Sequence, residues 1–405
     1  MFFLGRDGKG AARFASSRSH LLVLGPPRSG KTTAIVVPNA KLFPGPVVAT
    51  STKADVLAAI GEERSKSGSV FVFDPGGEVG EGPWIRIGWS PVEAAATLES
   101  AVLVTESFAR AALGPGLGGD RHWVDRAKAL LAPLLLAANL LALPIGSVLE
   151  WVDLRSCDEP LDALAFAGMD RAATVLRSVT GTEERERSAI FSTASAALAA
   201  YRLEERPADA GFDPLGFISS KDTLVVVASS LLQQVIAPVV VCLIDEIARA
   251  CYRSAQRGRL VQLALILDEM ANIAPMPTLG SLLSEGVGQG VYVLGALQDL
   301  SQARLRWPEL VRGLFTLFGT TMVIGGIGDV ATLGELEELF GVAPGVERSW
   351  QGGGGLFGLR SGYRHVERPA ISRHQLRSLG PFEAAVLELR GSPGMVRLDP
   401  GFAGV

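Results

Sequence analysis

The chain has 405 residues, 48% of them apolar, with a mean hydropathy of +0.29, so it buries a large core and is not a disordered polymer. Its 38 basic and 42 acidic residues leave a formal net charge of −4, which excludes a global electrostatic pull on nucleic acid. Any such contact would need a local patch or a pore built by several subunits. Cys157, Cys242 and Cys251 are odd in number and lack C-x-x-C spacing, which fits reduced cytosolic thiols and gives no metal site. The opening Met-Phe-Phe-Leu-Gly has no charged region, long apolar run or cleavage site, so no secretory signal is read there.

The first strand expected is Leu21–Leu24, and Gly25-Pro26-Pro27-Arg28-Ser29-Gly30-Lys31-Thr32 follows it at once, a complete G-x4-G-K-T phosphate-binding loop. Thr33-Ala34-Ile35-Val36-Val37 then opens a helix. This strand-to-helix context is what the motif requires. Two glycines let the backbone curl, its N–H groups and the helix N-terminus face an anion, and Lys31 adds a point charge. The Thr32 hydroxyl suits a phosphate-bound Mg²⁺. Gly25 to Thr33 are therefore expected to hold a nucleoside triphosphate.

Apolar runs at Val47–Ala49 and Val70–Phe73 alternate with helical patterns, and the latter stops in Asp74-Pro75-Gly76-Gly77. Strands separated by helices predict a parallel sheet covered on both faces. From 93 to 215 the character changes: alanine and leucine dominate, and an all-α insertion is expected. Trp123 to Leu143 reads as one long helix, with Trp123 in the core. Its apolar stretch from Ala129, at about 1.5 Å per residue, falls short of a roughly 30 Å bilayer core and reads as a buried helix. Thr182 is expected to cap a second helix that lines up Ile190, Phe191, Ala194, Ala197, Leu198 and Tyr201. Strand signals resume at Thr223–Val227, followed by a helix over 231–256. Further strands are expected at Leu263–Leu267, Val291–Leu294, Thr321–Ile324, Ala384–Leu389 and Met395–Leu398. The glycine-rich stretch Gln351–Gly362 lacks a strand–turn–helix context and reads as a mobile loop. Two parts of a nucleotide-binding domain, 1–92 and 216–405, thus flank the helical segment 93–215.

Leu263–Leu267 ends in Asp268-Glu269, an apolar strand closing in two acids. Beside a phosphate loop this pairing suits metal-assisted hydrolysis: Asp268 for the Mg²⁺ shell, Glu269 to polarise the attacking water. The next strand closes in Gln298, where it is positioned either to contact the γ-phosphate or the water, or to cap the helix beginning near Asp299. Histidines 20, 122, 365 and 374 have no zinc-binding spacing. Arg110, Arg121 and Arg126 read as a solvated face or as a substrate-facing patch.

GPPRSGKT, LILDEMANIAPMP and GVYVLGALQDLSQ resemble the type IV secretion coupling protein family, the RecA-like ATPases of conjugative DNA transfer. Thr52-Lys53-Ala54-Asp55, Phe73-Asp74-Pro75, Trp89-Ser90-Pro91, Arg121-His122-Trp123 and RPAISRHQLRSLGPFEAAVLEL extend the resemblance over nearly the whole chain. It implies an α/β fold: a RecA-like P-loop core with a mostly parallel sheet and an inserted all-α domain that reads substrates. It further implies ATP and Mg²⁺ as ligands, a homo-hexamer with ATP between neighbouring subunits, and DNA or a secreted protein such as a relaxase as cargo. Contact with secretion-channel components at the cytoplasmic face of the inner membrane is implied as well. Family members usually begin with membrane-spanning helices, whereas the loop here starts at residue 25. They also often carry an arginine before the Gln-ending strand, and Glu285–Gly290 has no basic residue; slow hydrolysis or a substitute is implied, with Arg304, Arg306 and Arg312 as candidates that otherwise read as a solvated basic face. Two alternatives share the motif set: a substrate receptor with vestigial hydrolysis, and a DNA-pumping ATPase of the chromosome-segregation type, against which the large helical insertion argues.

Overall fold

A computed structural model describes residues 1–114, 120–203, 208–352, 359–389, 391 and 393–400. The chain packs as two compact units, one made of Met1–Ile35 with Ala296–Val405, the other of Val36–Gly295.

In chain order, the first unit opens with strands β1 (Phe3–Arg6), β2 (Ala12–Phe14) and β3 (His20–Leu24). The second unit holds helix α1 (Val37–Leu42), β4 (Val47–Ser51), α2 (Asp55–Ser65), β5 (Val70–Phe73) and β6 (Ile85–Gly88). A helical run follows: α3 (Leu98–Leu113), α4 (Asp120–Leu140), α5 (Ile145–Leu154), α6 (Asp158–Phe166), α7 (Asp170–Thr180) and α8 (Glu184–Ala197). Then come β7 (Ala210–Gly211), α9 (Pro214–Ile218), β8 (Thr223–Val227), α10 (Gln233–Gln256), β9 (Leu263–Leu267), α11 (Met270–Ile273), α12 (Leu279–Glu285) and β10 (Val291–Leu297). The last two residues of β10 belong to the first unit, which continues with α13 (Leu300–Arg306), α14 (Leu314–Phe318), β11 (Gly319–Ile324), α15 (Val330–Phe340), β12 (Val342–Gly352), β13 (Leu359–Pro369), α16 (Arg373–Arg377), β14 (Glu383–Glu388) and β15 (Gly394–Arg397).

The strands of the second unit run in the order β10-β9-β4-β8-β5-β6-β7, every pairing parallel. Strands β4, β8, β9 and β10 are buried along their whole length, which is why they read as unbroken apolar runs rather than alternating ones. In the first unit β3 pairs parallel with β11, and β14, β15, β1 and β2 extend that sheet antiparallel. The α/β class and the dominant parallel sheet are as the sequence implied. Strands β1, β2, β6 and β7 carried no usable signal, being two to four residues long and each holding a Gly or Arg where β5 is an unbroken apolar run.

Among the described residues of 93–215, β7 is the one departure from helical and irregular structure. Helix α4 is the centre of this region, packing on α3, α6, α7 and α8. Leu130, Leu131, Leu134, Leu135 and Leu136 are all buried in it, each contributing roughly 1.5–3 kcal/mol. Three local expectations need correction. Thr182 does not cap α8: Glu183 holds the N-cap position, and the Thr182 hydroxyl donates to the Val179 carbonyl at 2.8 Å. Trp123 is half-buried against His122, because it lies in the first turn of α4 rather than in its packed middle. The glycine-rich stretch is not simply a loop: Gln351 and Gly352 end β12, Leu359–Gly362 begin β13, and the two strands form an antiparallel ribbon. Residues 353–358 lie outside the described residues. Among the described residues no helix is long and apolar enough to cross a membrane.

Candidate functional site

In the first unit, β3 delivers the chain into the loop Gly25–Thr32. The Gly25 amide donates to the Leu297 carbonyl at 3.1 Å, setting the start of the loop beside the residue that precedes Gln298. The loop then reverses sharply: Ser29 N–H donates to the Pro26 carbonyl, Arg28 sits at φ +62° and Gly30 at φ +92°. A side chain at Gly30 would be strained in the backbone, and one at Gly25 would meet Ser29 Oγ at 2.9 Å and Ile324 Cβ at 3.1 Å. The motif glycines are therefore demanded by the fold of the loop itself.

Lys31 is buried and donates to the carbonyls of Gly25 at 2.6 Å and Pro26 at 3.0 Å, so its ammonium lies across the mouth of the curl. The Ala34 amide donates back to the Gly30 carbonyl at 2.9 Å, and a π-helical stretch, Thr32–Val36, leads into α1. Thr33 is exposed, with its hydroxyl turned to the Gly30 carbonyl at 3.3 Å. Pro27 and Arg28 are exposed on the outer bend of the loop. Ser29 Oγ is buried and has no hydrogen-bond partner, a polar atom inside the loop that an anion's oxygen would satisfy. A loop with the motif's curl, a buried ammonium and an unspent hydroxyl fits the triphosphate that the sequence implied.

Gln298 follows β10, and its amide donates to Gln302 Oε1 at 2.8 Å. Capping of α13 falls to Asp299, whose Oδ1 accepts from the Ser301 amide at 2.8 Å, so the Gln298 side chain is not needed for that task. Arg304 is held by Asp329 at 3.1 Å and Glu335 at 2.6 Å, which raises its pKa and commits its guanidinium within the chain. Arg306 and Arg312 are exposed.

In the second unit, β9 ends in Asp268, buried at 6% exposure, and Glu269. The Thr50 hydroxyl of β4 donates to the Asp268 carbonyl at 2.8 Å, fixing the strand end from its neighbour. Glu269 adopts a left-handed backbone, φ +50° and ψ +45°, and serves as the N-cap residue of α11. Its Oε2 accepts from Asn272 Nδ2 at 3.2 Å. A bulky acid in this conformation costs about 1–2 kcal/mol, the kind of strain that collects at functional positions. Beside it, the Ser51 hydroxyl donates to Asp55 Oδ1 at 3.0 Å, which ties the Thr52–Asp55 segment to the end of β4. Leu267 of β9 faces Gly295 of β10 in parallel register, so both strands release their carboxyl ends at the same edge, where open α/β sheets bind ligands.

Sequence reading missed Thr50, which lies inside an apolar strand, and Phe382, which packs against the phosphate loop from near the far end of the chain. Neither contact has a local signal. Arg110 and Arg121 face the carboxylates of Glu106 and Asp125 on a solvated helical face, whereas Arg126, whose side chain is 25% exposed, faces Glu186 with its Nε buried.

Residues 3–308 match the family described as Type IV secretory system Conjugative DNA transfer, and residues 262–381 match the one described as TraM recognition site of TraD and TraG. Conjugal transfer protein TraG of Escherichia coli is 24% identical over 338 residues, covering 74% of this chain and 51% of that protein. The chain thus spans about half the length of the curated relatives it matches. Among solved structures, the bacterial conjugative coupling protein TrwBdeltaN70 superposes with a TM-score of 0.74 at 17% identity, over 98% of this chain and 88% of that one. The plasmid coupling protein TrwB in complex with ADP and Mg²⁺ gives 0.72 at 16%, over 98% and 89%. At these identities the structures establish a shared fold. With the first family's match running from residue 3 to residue 308 of 405, the chain belongs to the type IV secretory system conjugative DNA transfer family.

Proposed function

We propose that this protein binds ATP with Mg²⁺ and hydrolyses it to ADP and phosphate as the coupling ATPase of a conjugative DNA-transfer apparatus. The observation that carries the reading is the phosphate loop, with Lys31 buried across its mouth and the backbone reversed at Arg28 and Gly30. In this reading Gly25, Pro26, Pro27, Arg28, Ser29, Gly30 and Thr33 shape or line the phosphate cradle, and Lys31 neutralises phosphate charge. Thr32 and Asp268 offer oxygens to Mg²⁺, which when bound supplies charge neutralisation at the phosphates. Glu269 accepts the proton of the attacking water and Gln298 orients that water or senses the γ-phosphate.

Assembly as a hexamer, DNA or a DNA-bound protein such as a relaxase as cargo, and docking on a secretion channel at the cytoplasmic face of the inner membrane belong to the same proposal. Its support is the family, together with relatives named for conjugal transfer. Residues 93–215 are the proposed substrate-reading domain, between nucleotide-binding parts 1–92 and 216–405. The match over 262–381 supports contact with a protein of the TraM kind.

A receptor whose ATP turnover is vestigial is the second reading, favoured by the basic-residue-free segment 285–290 and by the commitment of Arg304 to Asp329 and Glu335. Phosphate release measured against protein concentration, with and without single-stranded DNA, separates the two. The coupling ATPase predicts turnover that rises steeply with assembly and falls about 10²–10⁴-fold in Glu269→Gln. ATP binding with no turnover at any concentration overturns it in favour of the receptor.

A further inference from the structure

Among the described residues, Phe382 is one of five other than glycine with a positive φ, at +59°. An aromatic side chain held there costs about as much as the most strained turn residues, so the surrounding structure must fix it. It does. The Glu383 amide closes a turn onto the Gly380 carbonyl at 3.1 Å, Glu383 Oε2 accepts from the Gly380 amide at 3.0 Å, and the Leu398 amide donates to the Phe382 carbonyl at 2.7 Å. The ring that this turn presents is not core, being 37% exposed.

One edge of the ring lies against the phosphate loop. A Cβ built on Gly30 would stand 3.4 Å from Phe382 Cε1 and 3.7 Å from Cδ1. The same residue borders a cavity of about 610 Å³, whose walls include Arg6, Asp7, Gly10, Met395 and Pro400. That volume falls within the roughly 300–1,000 Å³ of small-molecule sites. Its far wall is stiff: Asp7 Oδ1 accepts from the amides of Lys9 and Ala11, and Arg6 Nη1 donates to the Gly10 carbonyl. A strained, partly exposed aromatic thus stands between a phosphate-binding loop and a cavity, all within one unit.

We propose that Phe382 is the platform for the base of the bound nucleotide, and that the cavity beside it receives the nucleoside end while Gly25–Thr32 holds the phosphates. This rests on the nucleotide reading above and adds to it the residue that distinguishes a nucleotide from a bare polyphosphate. An aromatic face stacks on a base without reading its edge, so the contribution is affinity and positioning.

The test titrates two ligands, Mg²⁺-ATP and Mg²⁺-tripolyphosphate, by calorimetry into the whole chain and three variants. Phe382→Gly removes the ring while placing glycine at a backbone angle that suits it, so loss of fold is not the expected confounder. It is expected to weaken ATP by about five- to a hundred-fold, the span of base–aromatic stacking, and to leave tripolyphosphate within about twofold. Phe382→Trp restores ATP affinity, and its added fluorescence is quenched by ATP and not by tripolyphosphate. Equal weakening of both ligands in Phe382→Gly, which would make the ring a mere buttress of Gly30, overturns the proposal, as does no change in either. Lys31→Ala is expected to lose both ligands. If it keeps both, the phosphate-loop reading fails separately from that of Phe382.

Discussion

Glu269 offers a direct test of whether a functional acid is held under strain. Two substitutions differ only in how they meet its left-handed backbone, φ +50°. Glu269→Ala keeps the strain and loses the hydrogen bond from Asn272 Nδ2, a loss of about 0.5–1.5 kcal/mol. Glu269→Gly loses the same bond but relieves about 1–2 kcal/mol of strain. Against that relief stands about 0.4–1 kcal/mol for the greater freedom of glycine in the unfolded chain. The backbone bonds to the Glu269 carbonyl from the Asn272 and Ile273 amides are available to both variants. The glycine variant is therefore expected to be more stable than the alanine variant by roughly 0.5–1 kcal/mol, about 1 °C in Tm for a chain of 405 residues. Both are expected to lose about 10²–10⁴-fold in turnover. Thermal and urea unfolding, paired with a phosphate-release assay, read the two effects separately. An alanine variant as stable as the glycine variant would refute the strain argument, and a glycine variant that hydrolyses ATP at the parent rate would refute the role of the acid.

Two further outcomes follow from buried polar groups. Arg64 is 3% exposed and donates to Thr223 Oγ1 and to the carbonyls of Phe43, Gly45 and Lys221 at 2.6–2.9 Å, joining the entries of β4 and β8. Arg64→Ala strips the donor from four groups at once and is expected to destabilise by about 3–5 kcal/mol in urea unfolding, with Arg64→Lys recovering only part. Asp245 is fully buried, accepting from Ser107 Oγ on α3 at 2.5 Å and from Thr278 Oγ1 at 2.7 Å, and burial pushes its carboxyl above the ordinary range. A carboxyl raised in the folded state binds more protons there than in the unfolded chain. Its contribution to stability is thus present below about pH 3.9 and is lost as pH rises through the folded-state value. Asp245→Asn is expected to gain on the parent as pH rises from 4, and a pH-independent difference in unfolding free energy would contradict the assignment.

How much of this was legible beforehand depended on whether the determining contacts were local. The buried strands β3, β4, β5, β8, β9 and β10 were readable because parallel strands covered on both faces are continuous apolar runs. Helix α4 was readable because its length and leucine content leave no other stable arrangement. Strands β6 and β7 were not, since Ile-Arg-Ile-Gly and Ala-Gly are neither unbroken apolar runs nor long enough to alternate, and are strands only by pairing with a neighbour. The N-terminus of α8 was misread by one residue, because Thr182 turned its hydroxyl back to Val179 instead of forward. In the stretch 351–362 composition suggested a loop, while the register between β12 and β13 made its ends strands.

The phosphate loop was legible from residues alone because its curl is closed locally, by the turn at Pro26–Ser29, the two glycines and the reach of Lys31 to Gly25 and Pro26, while the bond from the Gly25 amide to Leu297 only sets where it begins. The sequence also determined which acids close β9, since a strand's carboxyl end is visible where its apolar run stops. What surrounds them came from long-range packing. Thr50 reaches Asp268 across 218 positions, Arg304 is taken by Asp329 and Glu335, and Phe382 arrives beside Gly30 from the turn before β14. Such contacts are fixed by sheet order and packing, and sheet order is a property of the whole chain that no window of residues contains.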